Sequence, residues 1–347
     1  MDEHRPTSIL LIYTGGTIGM IQNHTTGALE SFNFDHLLSH VPEIRQFNIK
    51  IDSYAFEQPL DSSDIEPKHW QRLVKIIHER YEKYDGFVIL HGTDTMAFTS
   101  SALSFMLEGL NKPVILTGSQ LPIGALRTDG KANLITAIEI ASAKNEDGTP
   151  VVPEVCVVFH EKLLRGNRAT KVDTDNFDAF RSPNYPPLAV SGIEIKYNRQ
   201  YIRPYDPEAR LTPQYEMDTH LIIFSLFPGI RPDIVSNVLN SPELKGIIFR
   251  TFGSGNAPRT PSLINKLSEA MKDGKVVVNI SQCPTGCVHQ ERYGTGLQLA
   301  SVGIVSGLDM TIEAALAKLM FLFGKGLTPS EVARMMGVSL VGEATVN

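Results

Sequence analysis

The sequence is poor in cysteine, with three in 347 residues, and holds a single tryptophan. Cys156, Cys283 and Cys287 are too few for a disulfide framework, and an odd count suits a reducing compartment. Cys283 and Cys287 form a C-x3-C spacing with no second pair, which argues against structural zinc. No basic stripe occurs, and the net charge is −6, so a nucleic-acid partner is not expected. Long hydrophobic runs are also missing. The opening MDEHRPTSILLIY starts with acids and carries only a short apolar run, neither an export signal nor a membrane span. These absences predict a cytoplasmic protein. His36 and His40 are four apart but lack the glutamate of H-E-x-x-H, and no metal or other cofactor is expected.

What is present fits a soluble enzyme-sized chain, with 42% hydrophobic and 20% charged residues and enough length for two domains. SILLIY, GFVILHG, KPVILTG and EVCVVFH are continuous apolar runs, as expected of strands buried on both faces. Helical patterns separate them. Trp70, Leu73, Val74, Ile77 and Tyr81 recur at helical spacing, and TDGKANLITAIEIASAKN has a capping start at Thr128 or Asp129. The alternation predicts an α/β fold: a larger N-terminal, mostly parallel-sheet domain with crossover helices over 1–190. A proline-rich linker is expected over 191–217, with one hairpin near its start. A smaller C-terminal α/β domain is expected over 218–347, where TPSE marks a capping box.

In open α/β sheets, ligands bind beyond the carboxyl ends of the strands. Those ends carry TGGTIG at 14–19, HGTDTM at 91–96, TGSQ at 117–120 and RGNRATKVDTD at 165–175. Threonines, glycines, Asp94 and Lys171 suit a small polar ligand and acyl chemistry. Each motif also has a plainer reading. TGGTIG fits a glycine turn, Asp94 or Thr95 fits a helix cap, and Lys171 fits a solvated surface lysine. The glycines at 15, 16 and 19 miss the dinucleotide fingerprint, no G-K-[ST] follows, and G-x-S-x-G is absent.

TGGTIGM, HGTDTMAFTSSALSFML and RGNRATKVDTDNFDAF together resemble the bacterial type I, cytoplasmic L-asparaginase family. The resemblance extends in order through PLDSSDIEP, KPVILTGSQLP, LRTDGKANL, GIIFRTFGSGNAP and GLDMTIEAALAKL. It implies hydrolysis of L-asparagine to L-aspartate and ammonia. Thr14 then matches the nucleophile, and Thr93, Asp94 and Lys171 match the second catalytic set. Asp61, Ser62 and Ser63 match substrate binders, together with Thr93 and Asp94. The resemblance further implies a homodimer or homotetramer in which a neighbour's C-terminal domain helps close the site. It also implies a second, regulatory asparagine site near Arg250 and Cys283. One departure stands out. Many members carry a tyrosine in the flap after TGGTIGM, and here the matching position is Ala28. The rival readings are an ammonia-releasing amidotransferase subunit, which usually has an added N-terminal domain, and a non-catalytic amino-acid-binding or regulatory protein.

Overall fold

The structure, a computed structural model, describes residues 6–19, 21–22, 29–30, 37, 39–292 and 294–346. It divides into two compact units, Met1–Pro213 and Gln214–Asn347. Ala28, the position matched to the flap tyrosine, lies outside the described residues.

The first six strands of unit 1 are β1 (Ser8–Gly15), β2 (Ile21–Gln22), β3 (Leu29–Glu30), β4 (Lys50–Leu60), β5 (Gly86–Leu90) and β6 (Val114–Thr117). Six more follow: β7 (Val155–Phe159), β8 (Lys162–Arg165), β9 (Thr170–Lys171), β10 (Phe180–Arg181), β11 (Ala189–Ser191) and β12 (Ile195–Tyr197). Eight of them form one sheet in the order β12-β11-β8-β7-β6-β5-β1-β4. The run from β4 to β7 is parallel, and β8, β11 and β12 add antiparallel. The helices α1 (Pro67–Arg80), α2 (Met96–Met106) and α3 (Gly130–Ser142) connect the parallel strands.

All eight residues of β1 are buried, as a central strand requires. Ile9, Leu11 and Tyr13 share one core cluster with Val88 and Leu90 of β5 and with Leu134, Ala137 and Ile138 of α3. The alternate residues Leu10, Ile12, Phe87 and Ile89 are just as buried and point to the other face. Each such side chain contributes about 1.5–3 kcal/mol relative to exposure. The proline-rich stretch does not leave the sheet at residue 190. The β11–β12 hairpin pairs back onto β8, so part of the expected linker is an edge of the sheet.

Unit 2 carries a parallel sheet, β13-β14-β15-β16, of Leu221–Ser225, Gly246–Thr251, Val276–Ser281 and Val305–Ser306. Its helices are α4 (Pro232–Leu239), α5 (Pro261–Lys272), α6 (Gly294–Ser301), α7 (Ile312–Gly324) and α8 (Pro329–Met336). The expected capping box opens α8: Thr328 N–H donates to Glu331 Oε2 at 2.9 Å. Lys318 on α7 is fully buried against Glu343 at 2.7 Å, and the Glu343 carboxylate also accepts from the N–H groups of Leu340 and Val341. A charge in so dry a place is tolerated only because its partner and these donors are present.

A hydrogen-bonded chain joins three elements of unit 1. Trp70 Nε1 on α1 donates to Thr99 Oγ1 on α2 at 3.0 Å, and Thr99 Oγ1 stands 2.9 Å from His91 Nε2. The Gly92 carbonyl beside His91 Nδ1 can only accept, so in the neutral ring Nε2 is the acceptor and takes the Thr99 proton. His91 Nδ1 then carries the ring proton and donates to the Gly92 carbonyl at 2.6 Å. Burial pushes this histidine down to about 4. Above the ordinary pKa of 6.5 the ring is neutral folded and unfolded. Between 6.5 and about 4 the unfolded chain takes a proton that the folded chain refuses, so stability falls as pH falls through that window. We expect His91 to remove about 3 kcal/mol across it at 1.36 kcal/mol per unit. Urea unfolding of wild type against His91→Gln at stepped pH measures this. The difference between the two proteins should narrow as the pH falls, and a constant difference would refute the assignment.

Candidate active site

The carboxyl ends of β4, β1, β5 and β6 lie side by side at one edge of the unit 1 sheet. Thr14 sits at the end of β1, 2% exposed, and its hydroxyl donates to the Leu90 carbonyl of β5 at 3.0 Å. Gly15 and Gly16 follow with φ of +139° and +86°. A Cβ on Gly15 would lie 2.1 Å from the Leu60 carbonyl oxygen, and one on Gly16 would lie 2.5 Å from the Gly92 nitrogen. Two turns therefore meet backbone to backbone, which only glycine permits. The plain glycine turn and the close approach are the same feature.

The turn after β5 carries Thr93 and Asp94. Lys171 Nζ, on β9, donates to Thr93 Oγ1 at 2.8 Å and to Asp94 Oδ1 at 2.6 Å. The lysine side chain is 15% exposed and Asp94 is 64% exposed. Lys171 is thus not a solvated surface lysine, and Asp94 does not cap α2. Thr95 does not cap it either, since its hydroxyl donates to the Ser62 carbonyl at 2.6 Å. The segment leading to Lys171 is held rigidly. Arg165 pairs with Glu154 at 2.6 Å with both side chains buried, and Ser100 Oγ donates to the Gly166 carbonyl at 2.8 Å.

The end of β4 supplies Asp61, Ser62 and Ser63. Ser62 is 5% exposed, and its hydroxyl accepts the Asp94 N–H at 3.3 Å. Asp61 Oδ1 accepts from the Ser63 N–H and hydroxyl, each at 2.9 Å. These bonds, the backbone one foremost, hold the Asp61 carboxyl below the ordinary carboxylate range, which keeps it ionised. An ionised, exposed carboxylate suits an ammonium group.

The sequence did not single out Gln120 and Asp129 for this edge of the sheet. The cap of α3 was expected at Thr128 or at Asp129. The Asp129 carboxylate instead accepts the N–H groups of Gln120 and Leu121 at 3.1–3.2 Å, and Thr128 Oγ1 accepts the Gly130 N–H at 3.0 Å. Gln120 follows β6 and reaches Thr93 Oγ1 through Oε1 at 3.4 Å. Its place at a strand end was the available signal.

The two positions matched to a regulatory site lie in unit 2. Arg250 is next to last on β14, and its buried Nε has no hydrogen-bond partner. Cys283 is exposed after β15 and lines a cavity of about 300 Å3 with Ser281, Cys287, His289 and Arg292. Arg250 is not in that wall. A larger cavity of about 660 Å3, bounded by Asp85, Lys112, Lys144 and Arg210, is lined by none of the candidate residues. Among the described residues no His/Cys/Asp/Glu group is arranged to hold a metal ion, and no helix is long and apolar enough to cross a membrane.

Comparison with known proteins points one way. The family profile "Asparaginase, N-terminal" matches residues 8–203, and "Glutaminase/Asparaginase C-terminal domain" matches residues 220–336. L-asparaginase 1 of Escherichia coli K12 is 42% identical over 97% of this chain and 98% of its own length. The human 60 kDa lysophospholipase is also 42% identical over 97% of this chain, which spans 61% of that longer protein. The crystal structure of L-asparaginase I from Vibrio cholerae superposes with a TM-score of 0.89 at 40% identity, covering 99% of this chain and 100% of that one. With matches over both units and nearly the full length, this chain belongs to the asparaginase family.

Proposed function

We propose that this protein hydrolyses L-asparagine to L-aspartate and ammonia, with Thr14 as the nucleophile. The observation that carries the reading is the Lys171–Thr93–Asp94 constellation at the same sheet edge as the buried, glycine-flanked Thr14. A threonine hydroxyl is a weak nucleophile unless its proton has somewhere to go. In this reading Thr14 attacks the side-chain amide carbon, Thr93 and Lys171 carry its proton, and the amide nitrogen leaves as ammonia. Water then releases aspartate. Asp61 and Asp94 hold the substrate ammonium, and the hydroxyls of Ser62 and Ser63 meet its carboxylate. The glycine turns allow backbone N–H groups close to the developing oxyanion.

Release of ammonia from asparagine, absent with a non-catalytic binder, is the primary test. Asparagine should exceed glutamine in kcat/KM by about tenfold or more, since one methylene is worth roughly 1–3 kcal/mol in a small site. Equal efficiency would count against the substrate assignment. Thr14→Ala, Thr93→Val and Lys171→Ala should each lower kcat by on the order of a thousandfold, and the Thr14→Ala/Lys171→Ala double variant should lose little more. Wild-type turnover in Thr14→Ala would remove the nucleophile assignment. The second site at Arg250 predicts a sigmoidal rate curve that becomes hyperbolic in Arg250→Ala. A curve that is hyperbolic in both proteins would eliminate it.

A further inference from the structure

Gln120 joins two parts of the site that the chemistry needs to keep together. Its Nε2 donates to the carbonyl oxygens of Thr174 and Asn176, each at 3.1 Å. Carbonyls only accept, so the amide cannot be flipped, and Oε1 must face Thr93. Thr93 Oγ1 donates to it at 3.4 Å. The same Thr93 oxygen accepts from Lys171 Nζ at 2.8 Å. A hydroxyl has one proton, so that of Thr93 points toward Gln120 and away from the lysine. The glutamine itself is anchored by its N–H on Asp129, which Asn133 Nδ2 braces at 3.2 Å. The turn it grips is stapled by Asp173, whose Oδ1 accepts the N–H groups of Asp175 and Asn176 at 2.8 and 2.9 Å.

We propose that Gln120 is a positioning residue: it clamps the 173–176 turn so that Lys171 stays on Thr93, and it sets the direction of the Thr93 proton. In the resting site the Thr93 proton is held by Oε1. When Lys171 is neutral, that proton turns to Nζ and is transferred there, while Thr93 Oγ1 takes the proton of the attacking hydroxyl. One proton has then moved from nucleophile to lysine, which becomes an ammonium. The catalytic half of this proposal rests on the asparaginase reading, and the clamp does not.

Gln120→Met keeps length and volume and removes both ends of the bridge. Gln120→Glu keeps an acceptor for Thr93 but sets a carboxylate against two carbonyls and near Lys171. Three measurements on the full chain decide the matter: amide hydrogen exchange over 172–178, steady-state kinetics against pH, and thermal unfolding. In Gln120→Met we expect exchange over that turn to rise about tenfold, with little change in melting temperature. Its kcat should fall about 10–100-fold while KM changes less than about threefold, as for a lost proton-handling contact. In Gln120→Glu the added negative charge favours the lysine ammonium, so the acid limb of the kcat profile should move to higher pH. A purely structural role would leave that limb in place. Unchanged exchange in Gln120→Met overturns the clamp, and raised exchange with unchanged kcat overturns the catalytic half. Raised exchange in a protein whose wild type releases no ammonia from asparagine sustains the clamp and overturns the function proposed above.

Discussion

The contact on which the candidate site depends is one between two backbones. Gly16 rests on Gly92 so closely that a methyl group on Gly16 has no room, and one on Gly92 would meet Ser62. This approach lets the ends of β1 and β5 stand shoulder to shoulder, with Thr14 on one and Thr93 on the other. Gly15 makes the same kind of contact with Leu60 at the end of β4, which places Asp61, Ser62 and Ser63 on the other side of Thr14. Side-chain chemistry is thus arranged by the absence of side chains. The parallel sheet supplies the edge, and the glycines decide how near its strands' ends come to one another.

Hydrogen bonds then stiffen what the glycines bring together. Ser62 braces the 93–95 turn from outside through its hydroxyl and carbonyl, and His91 braces it from inside. Buried polar groups are costly unless satisfied, and a fully satisfied network defines one arrangement rather than several. Trp70, Thr99 and His91 form such a network, as do Asp129, Asn133 and the amides of Gln120 and Leu121. Both networks end on residues that face the site. The arrangement of the candidate site therefore derives in part from groups that stand behind it.

Much of this was legible in the sequence. Continuous apolar runs gave the central strands, and the residues that follow them included Thr93, Asp94 and Lys171, which hydrogen bonds bring together. The capping alternatives failed for one physical reason. Asp129, Asp94 and Thr95 stand at helix starts, where local rules favour capping, yet each is drawn to a partner distant in sequence. Gln120 offered only its place after a strand, because its amide acts between Thr93 and a turn more than fifty residues away. The β11–β12 hairpin was expected in the proline-rich stretch, but its pairing onto β8 was not, because that partner lies outside the stretch in sequence. Local patterns report what a segment does for itself, and these residues act for other segments.

The buried pair between Lys318 and Glu343 has a consequence for the order in which the molecule is made. A ribosome adds α7, with its lysine, before Glu343. Until that carboxylate arrives, closing unit 2 would bury an uncompensated charge. Among the described residues of unit 1, the buried pair of Arg165 and Glu154 closes within a short stretch of chain, and that unit ends at Pro213. Vectorial synthesis would therefore present a finished first unit while the second waits for the segment that carries Glu343.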